Sequence, residues 1–543
     1  MQTISLRKSV HVQAGAKPLA CRLMTSQFYK PGLCIWVLAT AAIVQASGTF
    51  AINNWRYRTF RVAGPLDTAY YNQQLWNFWH ANSPITIRPQ NSYAIEGPEP
   101  WKTNHLRPVT AVIGLVYPLW SGVPLFYFLQ SVAMACGVWP AYHIGRRIAE
   151  DANCGIVAGL MYATAPIVWL LGTGDFRYLH LGIPLVLWTF DALDRRRPVE
   201  FAVSTSALFC TRESFCIVLA MLGISQLVRR RPWAENLRWA CAAGAIGVAW
   251  FWIHFGYLAW AFGRETAAGY LEATRDPVSA YGRNPGHMID DLGRESVRLA
   301  LVAGPMAAAS VAAPELMVPG IVLGFPPLHM GLFTLHPAHQ YVRYLAPAGS
   351  VLLVAAVVSL SRLWRRWSNC LRRRRAMGIS AILIFTAGTS CVLFGPAGVL
   401  RIPSRLAHPN DVTALRNALQ AIPADAAVLA YRAVLPNLSS RTKLFDYHQL
   451  PPEVTLENAI DQSRWIIVER LVLVLVDLDR QAATDPASQA QLEWTLAQME
   501  GRGELSSAAW RRIVSGFASS GVQEQFQHAA TLQSVVVLRR TDR

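Results

Sequence analysis

The chain has 543 residues, of which 52% are hydrophobic and only 15% charged, and its formal net charge is +17. Soluble domains carry about a quarter charged residues, so a water-soluble globule is excluded. The arginines that make the chain basic sit in short knots between apolar runs, where they act as topology signals rather than as a nucleic-acid surface.

The elements follow in chain order. A basic tail over residues 1–32 carries Arg7, Lys8, Lys17, Arg22 and Lys30 and leads into an apolar segment at 33–51. The small residues Ala46-Ser47-Gly48 would suit a cleaved leader, but the length of the tail favours an uncleaved anchor. A polar, aromatic-rich loop follows over 52–123. A bilayer core needs about 20 apolar residues per helix. Further candidate spans are 124–145, 155–173, 180–194, 199–212, 214–228, 237–262, 297–313, 316–334, 342–361 and 377–395, about eleven with the first. The pair 199–212 and 214–228 is short enough to be two tilted helices or one broken re-entrant unit.

The knots Arg146-Arg147, Arg195-Arg196-Arg197, Arg229-Arg230-Arg231 and the run from Arg362 to Arg375 fall at every second boundary. The positive-inside rule puts all of them, and the N-terminus, in the cytoplasm. The first loop, the loop 263–296, the turn 335–344 and the C-terminal part then face outside. Beyond residue 396 the composition becomes soluble. There PNDVTALRNALQAIP reads as a helix capped by Asn410 or Asp411. The segments AAVLAY, TKLFDY, RWIIVERLVLVLVDLD and SVVVLRR read as strands, and Ala482 to Met499 reads as a helix. The run RLVLVLVDL fits a buried central strand. The expected architecture is an α-helical polytopic membrane protein, spanning over 33–395, with a small C-terminal α/β domain outside the membrane over 396–543. The nine cysteines show no metal-ligand spacing.

Chemistry-bearing residues gather on the outer side of this topology. Asp67 in GPLDTAYYNQQLW is a lone acid just beyond the first span. It suits a general base, or a carboxylate holding an acceptor or a divalent metal. It equally suits the N-cap of the helical run Thr68–Trp79. The aromatics Tyr70, Tyr71, Trp76, Phe78 and Trp79 suit the headgroup zone of the lipid bilayer. Arg56, Arg58, Arg61, Arg88, Lys102 and Arg107 lie where basic residues are disfavoured, which calls for an anionic partner, either a substrate phosphate or lipid headgroups. Asp175, Arg177 and His180 lie in GDFRYLH, and Arg212-Glu213 interrupts an apolar run. Charge is costly in hydrocarbon, so such groups face a cavity or one another. His336, His339, Gln340, Tyr341 and Arg343 form one more polar cluster at a helix end.

The order of these motifs resembles a family of bacterial predicted membrane proteins of unknown function. That family is in turn similar to the GT-C class of membrane glycosyltransferases. The resemblance is carried by LDTAYYNQQLW (66–76), NHLRPVTAVIGLVYPLW (104–120), FLQSVAMACGVWPAYHIGRR (128–147), TRES (211–214), HQYVRYLAP (339–347) and IPADAAVLAYRAVLPNLSSRTKLFDY (422–447). It implies a sugar donor linked to polyprenyl phosphate, a glycan, lipid or protein acceptor, and Asp67 as the base. It also puts His105 and Pro108 in a His-x-x-Pro step and Arg212-Glu213 in a basic–acidic step. The class leaves room for a divalent metal, Mg2+ or Mn2+. Here Thr68 stands where a second acid would follow Asp67, Ser214 replaces another acid, and Arg177 follows Phe176 where Phe-His-Pro-Glu is expected.

The expected function is transfer of a sugar from a polyprenyl-phosphate donor on the extracytoplasmic side of a bacterial inner membrane. Asp67 would be catalytic. Arg58, Arg61, His105, Arg107, Asp175, Arg177, His180, Arg212, Glu213, His339, Tyr341 and Arg343 would bind substrate. A transporter or flippase for a lipid-linked or anionic solute is the rival reading, and a non-enzymatic envelope assembly protein is a third. A transporter would be marked by inverted repeats and a midplane site; no repeat is visible in the sequence.

Overall fold

The computed structural model describes residues 31–62, 64–81, 85–87, 105–229, 232–268, 310–329, 345–367, 411–450, 454–501, 506–520, 522–532 and 534–541. The first apolar segment is a longer helix than its hydropathy suggests. It runs as α1 (Pro31–Arg58), because the polar residues Asn53 and Arg56 find buried partners and the helix need not stop at Ala51. Among the described residues of the loop after it are two helices, α2 (Pro65–His80) and α3 (Val109–Val116). Then come α4 (Val123–Cys136), α5 (Val138–Ala149), α6 (Ala152–Thr164), α7 (Pro166–Gly172), α8 (Tyr178–Asp194), α9 (Pro198–Thr211), α10 (Phe215–Gln226), α11 (Trp233–Phe262), α12 (Pro314–His329) and α13 (Ala346–Trp367).

Among the described residues, four helices are long and apolar enough to cross a membrane: Cys34–Arg58, Val123–Ala149, Trp233–Phe262 and Ala346–Arg366. The pair α6 and α7, bent by 45° at Ala165, makes a fifth. Pro166 causes the break, since proline at a helix start forces its predecessor into extended backbone. The remaining expected spans are helices of 17 residues or fewer, or lie outside the described residues, as 377–395 and most of 297–313 do.

Helix α8 orders the polar chemistry of the bundle. It is 17 residues long, so its ends stand about 25 Å apart at 1.5 Å per residue. At the Asp194 end the basic knots meet acids from several helices. Arg147 is 2.9 Å from Asp191 and 2.7 Å from Asp194, Arg195 is 3.2 Å from Asp191, and Arg229 is 3.4 Å from Asp194. Arg362 reaches Glu315 at 2.5 Å. At the opposite end, a Cβ on Gly182 in the first turns of α8 would overlap the Phe215 ring and lie 3.0 Å from Thr211 Oγ1. That contact brings the α9–α10 break, with Arg212 and Glu213, beside the start of α8.

The C-terminal residues form a five-stranded sheet of order β2-β1-β3-β5-β4. Its strands are β1 (Val428–Ala430), β2 (Leu444–Asp446), β3 (Trp465–Glu469), β4 (Phe526–Thr531) and β5 (Val535–Arg540). β1 pairs in parallel with β2 and β3, while β5 is antiparallel to β3 and β4. Four further helices precede or flank the strands: α14 (Asp411–Gln420), α15 (Leu456–Gln462), α17 (Pro486–Gly501) and α18 (Ser507–Ser519). The run RLVLVLVDL is not a strand. The strand ends at Glu469 and the run forms the helix α16 (Arg470–Ala482), with Val472, Leu475 and Val476 buried and Val474 exposed. Buried positions at i, i+3 and i+4 fit a helix one face of which packs, whereas a central strand would have buried residues on both faces.

This sheet shares one apolar core with the first loop. A single cluster runs from Phe60, Tyr71 and Phe126 to Val428, Leu444 and Val537. Asn72 on α2 donates to Ser439 Oγ (2.9 Å) and accepts from the Tyr117 hydroxyl (2.8 Å). Thr86 exchanges hydrogen bonds with Leu444 on β2 (2.6 and 2.9 Å), while Gln73 Oε1 accepts from the Thr86 and Ile87 amides. Residues 85–87 thus lie along the outer edge of β2.

Candidate functional site

Asp67 is the third residue of α2, not its cap: the helix starts at Pro65, and Gly64 at the N-cap position makes no side-chain cap. The carboxylate leaves the helix and pairs with the Arg177 guanidinium at the entry to α8. Burial works against the charge on Arg177, but Asp67, with Tyr71 and Asp175, outweighs it and holds the guanidinium above the ordinary arginine value. The Arg177 amide donates to Gln130 Oε1 at 3.0 Å.

A second pair lies alongside. Asp175 accepts the Gly64 amide, and Arg56 Nη2 stands 3.9 Å from its Oδ1. Arg56 also donates to the carbonyls of Thr173 and Arg61. Gly64 is the hinge between the pairs. A Cβ there would lie 2.6 Å from Asp175 Oδ2 and 2.8 Å from Arg177 Nη2. Two carboxylates and two guanidiniums therefore form one nearly buried, charge-balanced quartet. Its wall is aromatic: Tyr71 meets Tyr178 at 4.8 Å and Phe176 at 5.8 Å, and Phe126 meets Phe176 at 5.0 Å. Arg107 lies over the Tyr178 and Tyr71 rings, at 4.8 and 5.2 Å.

Next to Arg107 in sequence is a third group. His105 Nδ1 lies 2.8 Å from Glu213, Arg212 Nη2 lies 2.9 Å from His105 Nε2, and Arg212 Nε lies 3.2 Å from Glu213. Burial, then Arg212, lowers the His105 imidazole to about 3, so it stays neutral and its contact with Glu213 is a hydrogen bond to a carboxylate rather than an ion pair. His254, from the middle of α11, accepts the Leu106 amide at 3.4 Å and completes the group.

The sequence of the chain matches DUF2079, described as a predicted membrane protein, over residues 59–511. The chain belongs to that family. No curated protein matches this DUF2079 member. Among solved structures it is similar to the apo oligosaccharyltransferase of Archaeoglobus fulgidus, at 12% identity and a TM-score of 0.41, over 81% of this chain and 70% of that one. It is also similar to the mycobacterial arabinofuranosyltransferase AftD, at 15% identity and a TM-score of 0.41, over 93% of this chain but 40% of the length of AftD.

The residues singled out in the sequence are distributed as follows. Asp67, Asp175, Arg177 and Arg107 converge, and so do His105, Arg212 and Glu213. His180 is buried with its Nδ1 3.1 Å from Gln130 Oε1, beside the turn before α8. Arg58 is exposed at the end of α1, and the Arg61 guanidinium lies over Trp55 at 5.2 Å. His339, Tyr341 and Arg343 lie outside the described residues. Sequence reasoning did not single out Gln130 or His254. Gln130 donates to the carbonyls of Leu171, Gly172 and Gly174 (3.4, 3.3 and 3.1 Å) and so shapes the loop that carries Asp175 and Arg177. Each is a polar residue in the middle of an apolar helix, the signal that marks intramembrane function.

Proposed function

We propose that this DUF2079 member is a GT-C-like glycosyltransferase that moves a sugar from a polyprenyl-phosphate donor to an acceptor hydroxyl outside the inner membrane. The observation that carries the reading is the Asp67–Arg177 pair, joined from two distant segments against an aromatic wall. A guanidinium offers a phosphate the same fork that it offers a carboxylate. When the donor phosphate takes Arg177, with Arg107 beside it, Asp67 is released to accept a proton.

The step then balances. The acceptor oxygen attacks the anomeric carbon while its proton passes to Asp67. The bond from that carbon to the phosphate oxygen breaks, and polyprenyl phosphate leaves with its charge held by the arginines. The aromatic wall of Tyr71, Phe176 and Tyr178 suits a sugar ring and keeps bulk water from the reacting carbon. The spans would number about eleven, with the basic network of Arg147, Arg229 and Arg362 in the cytoplasm and the C-terminal sheet outside, bordering the acceptor's approach.

A resident Mg2+ or Mn2+ at Asp67 does not fit these residues. Such ions are held by one or two carboxylates together with waters and substrate phosphate, whereas Asp67 and Asp175 each already face a guanidinium that supplies the positive charge. No step is assigned to a metal there. The test is Asp67→Asn, assayed in membranes for transfer from polyprenyl-phosphate sugars. A positioned general base contributes about 10²–10⁴-fold, and a loss of that order is expected. Undiminished transfer refutes the role.

A further inference from the structure

We propose that His105, Glu213 and His254 form a binding site for a zinc-type divalent metal. The three residues come from three separate elements: the loop before α3, the break between α9 and α10, and the middle of α11. Each can direct one ligand atom so that all three atoms lie within 4.8 Å of one another. The His105 and His254 rings are nearly parallel, at 13°, with centroids 6.4 Å apart. Two imidazoles and one carboxylate are the donor set of a catalytic zinc, with a fourth position left for water or an anionic oxygen. The set disfavours magnesium and manganese, which select oxygen donors. The site also accounts for a carboxylate and two imidazoles drawn together in a membrane protein, with Glu213 and His254 buried and His105 partly so.

Arg212 is the competitor within this site. It stands 2.9 Å from His105 Nε2 and 3.2 Å from Glu213 Oε1, and so supplies the positive charge that a metal would bring. A bound metal must share Glu213 with it or displace it. The two descriptions of the cluster, metal site and closed ion-pair network, therefore predict opposite effects of removing that guanidinium.

The inference does not rest on the transferase reading, because it is tested by metal content. Full-length protein in detergent or nanodiscs is stripped with a chelator, dialysed against zinc and analysed by mass spectrometry for metal. The cobalt form is examined for the visible absorption of a four-coordinate nitrogen–oxygen site. The wild type should retain about one zinc per chain. Glu213→Gln and His254→Asn should each weaken retention about tenfold or more. Arg212→Ala should hold zinc at least as tightly as the wild type, and its melting temperature should rise further on zinc addition. Asp67→Asn should keep its zinc, whatever its transfer activity. The proposal is overturned if the wild type keeps no zinc and its cobalt form lacks that absorption. It is equally overturned if the Glu213 and His254 variants bind as the wild type does, or if Arg212→Ala loses the metal with them.

Discussion

The two ends of α8 carry the same kinds of side chain arranged in different ways. At the Asp194 end the ion pairs are redundant and partly wet. Arg147 is 30% exposed, and its two acids each have a second cation, Arg195 on Asp191 and Arg229 on Asp194. At the Arg177 end the pairs are drier. Arg177 is 5% exposed and Asp67 13%, and an aromatic wall surrounds them. Redundant pairs near water suit anchoring, because any one can be lost. A dry acid–base pair contributes little net stability, and under the proposed function the Arg177 end is the working one.

The contrast can be broken by paired substitutions. Arg177→Met removes one partner of the nearly buried Asp67–Arg177 pair, and breaking such a pair costs about 3–5 kcal/mol. Arg147→Met leaves both of its acids partnered and costs about 1 kcal/mol or less. Thermal unfolding of the two variants in detergent should separate them by that margin, and equal losses would erase the distinction between the ends.

Gly64→Ala sharpens the picture at the working end. Its methyl meets Asp175 and Arg177 at once, and crowding of this kind costs about 1–3 kcal/mol. Transfer activity should fall more than stability does, since both pairs must move. An alanine variant with full activity would mean that the quartet need not be held as described.

The smallest effect lies in the sheet. Burial pushes the Asp446 carboxyl up, but Arg432 at 3.0 Å and His448 at 3.4 Å outweigh it and hold it below the ordinary aspartate value. The folded pKa is therefore below the unfolded one of about 3.9. The stability contributed is complete above that value and is lost as pH falls through the folded pKa. Asp446→Asn should flatten the acid side of the stability profile, and an unchanged slope would show that the carboxylate is not so held.

The long helices and the basic knots were legible from apolar length and charge, which are local properties. The strands AAVLAY, TKLFDY and SVVVLRR were legible for the same reason. The helix Arg470–Ala482 was misread because a short unbroken apolar run fits a buried central strand as well as a helix, while the packing of one face selects the helix. Asp67 was visible as a lone acid, but its partner lies 110 positions away, and only the fold brings α2 to the start of α8. Gln130 and His254 were hidden for a related reason. A single polar residue in an apolar helix carries no spacing, so its meaning appears only with its neighbours.

The most direct measurement compares the two ends of α8 for phosphate binding. Polyprenyl phosphate is titrated into wild type, Arg177→Met and Arg147→Met in nanodiscs, with binding read by native mass spectrometry. A charge-assisted bond to phosphate contributes about 1.5–3 kcal/mol, so Arg177→Met should bind about tenfold or more weakly while Arg147→Met binds as the wild type does. Equal binding by all three, or a loss confined to Arg147→Met, would contradict the assignment of the Arg177 end as the donor site.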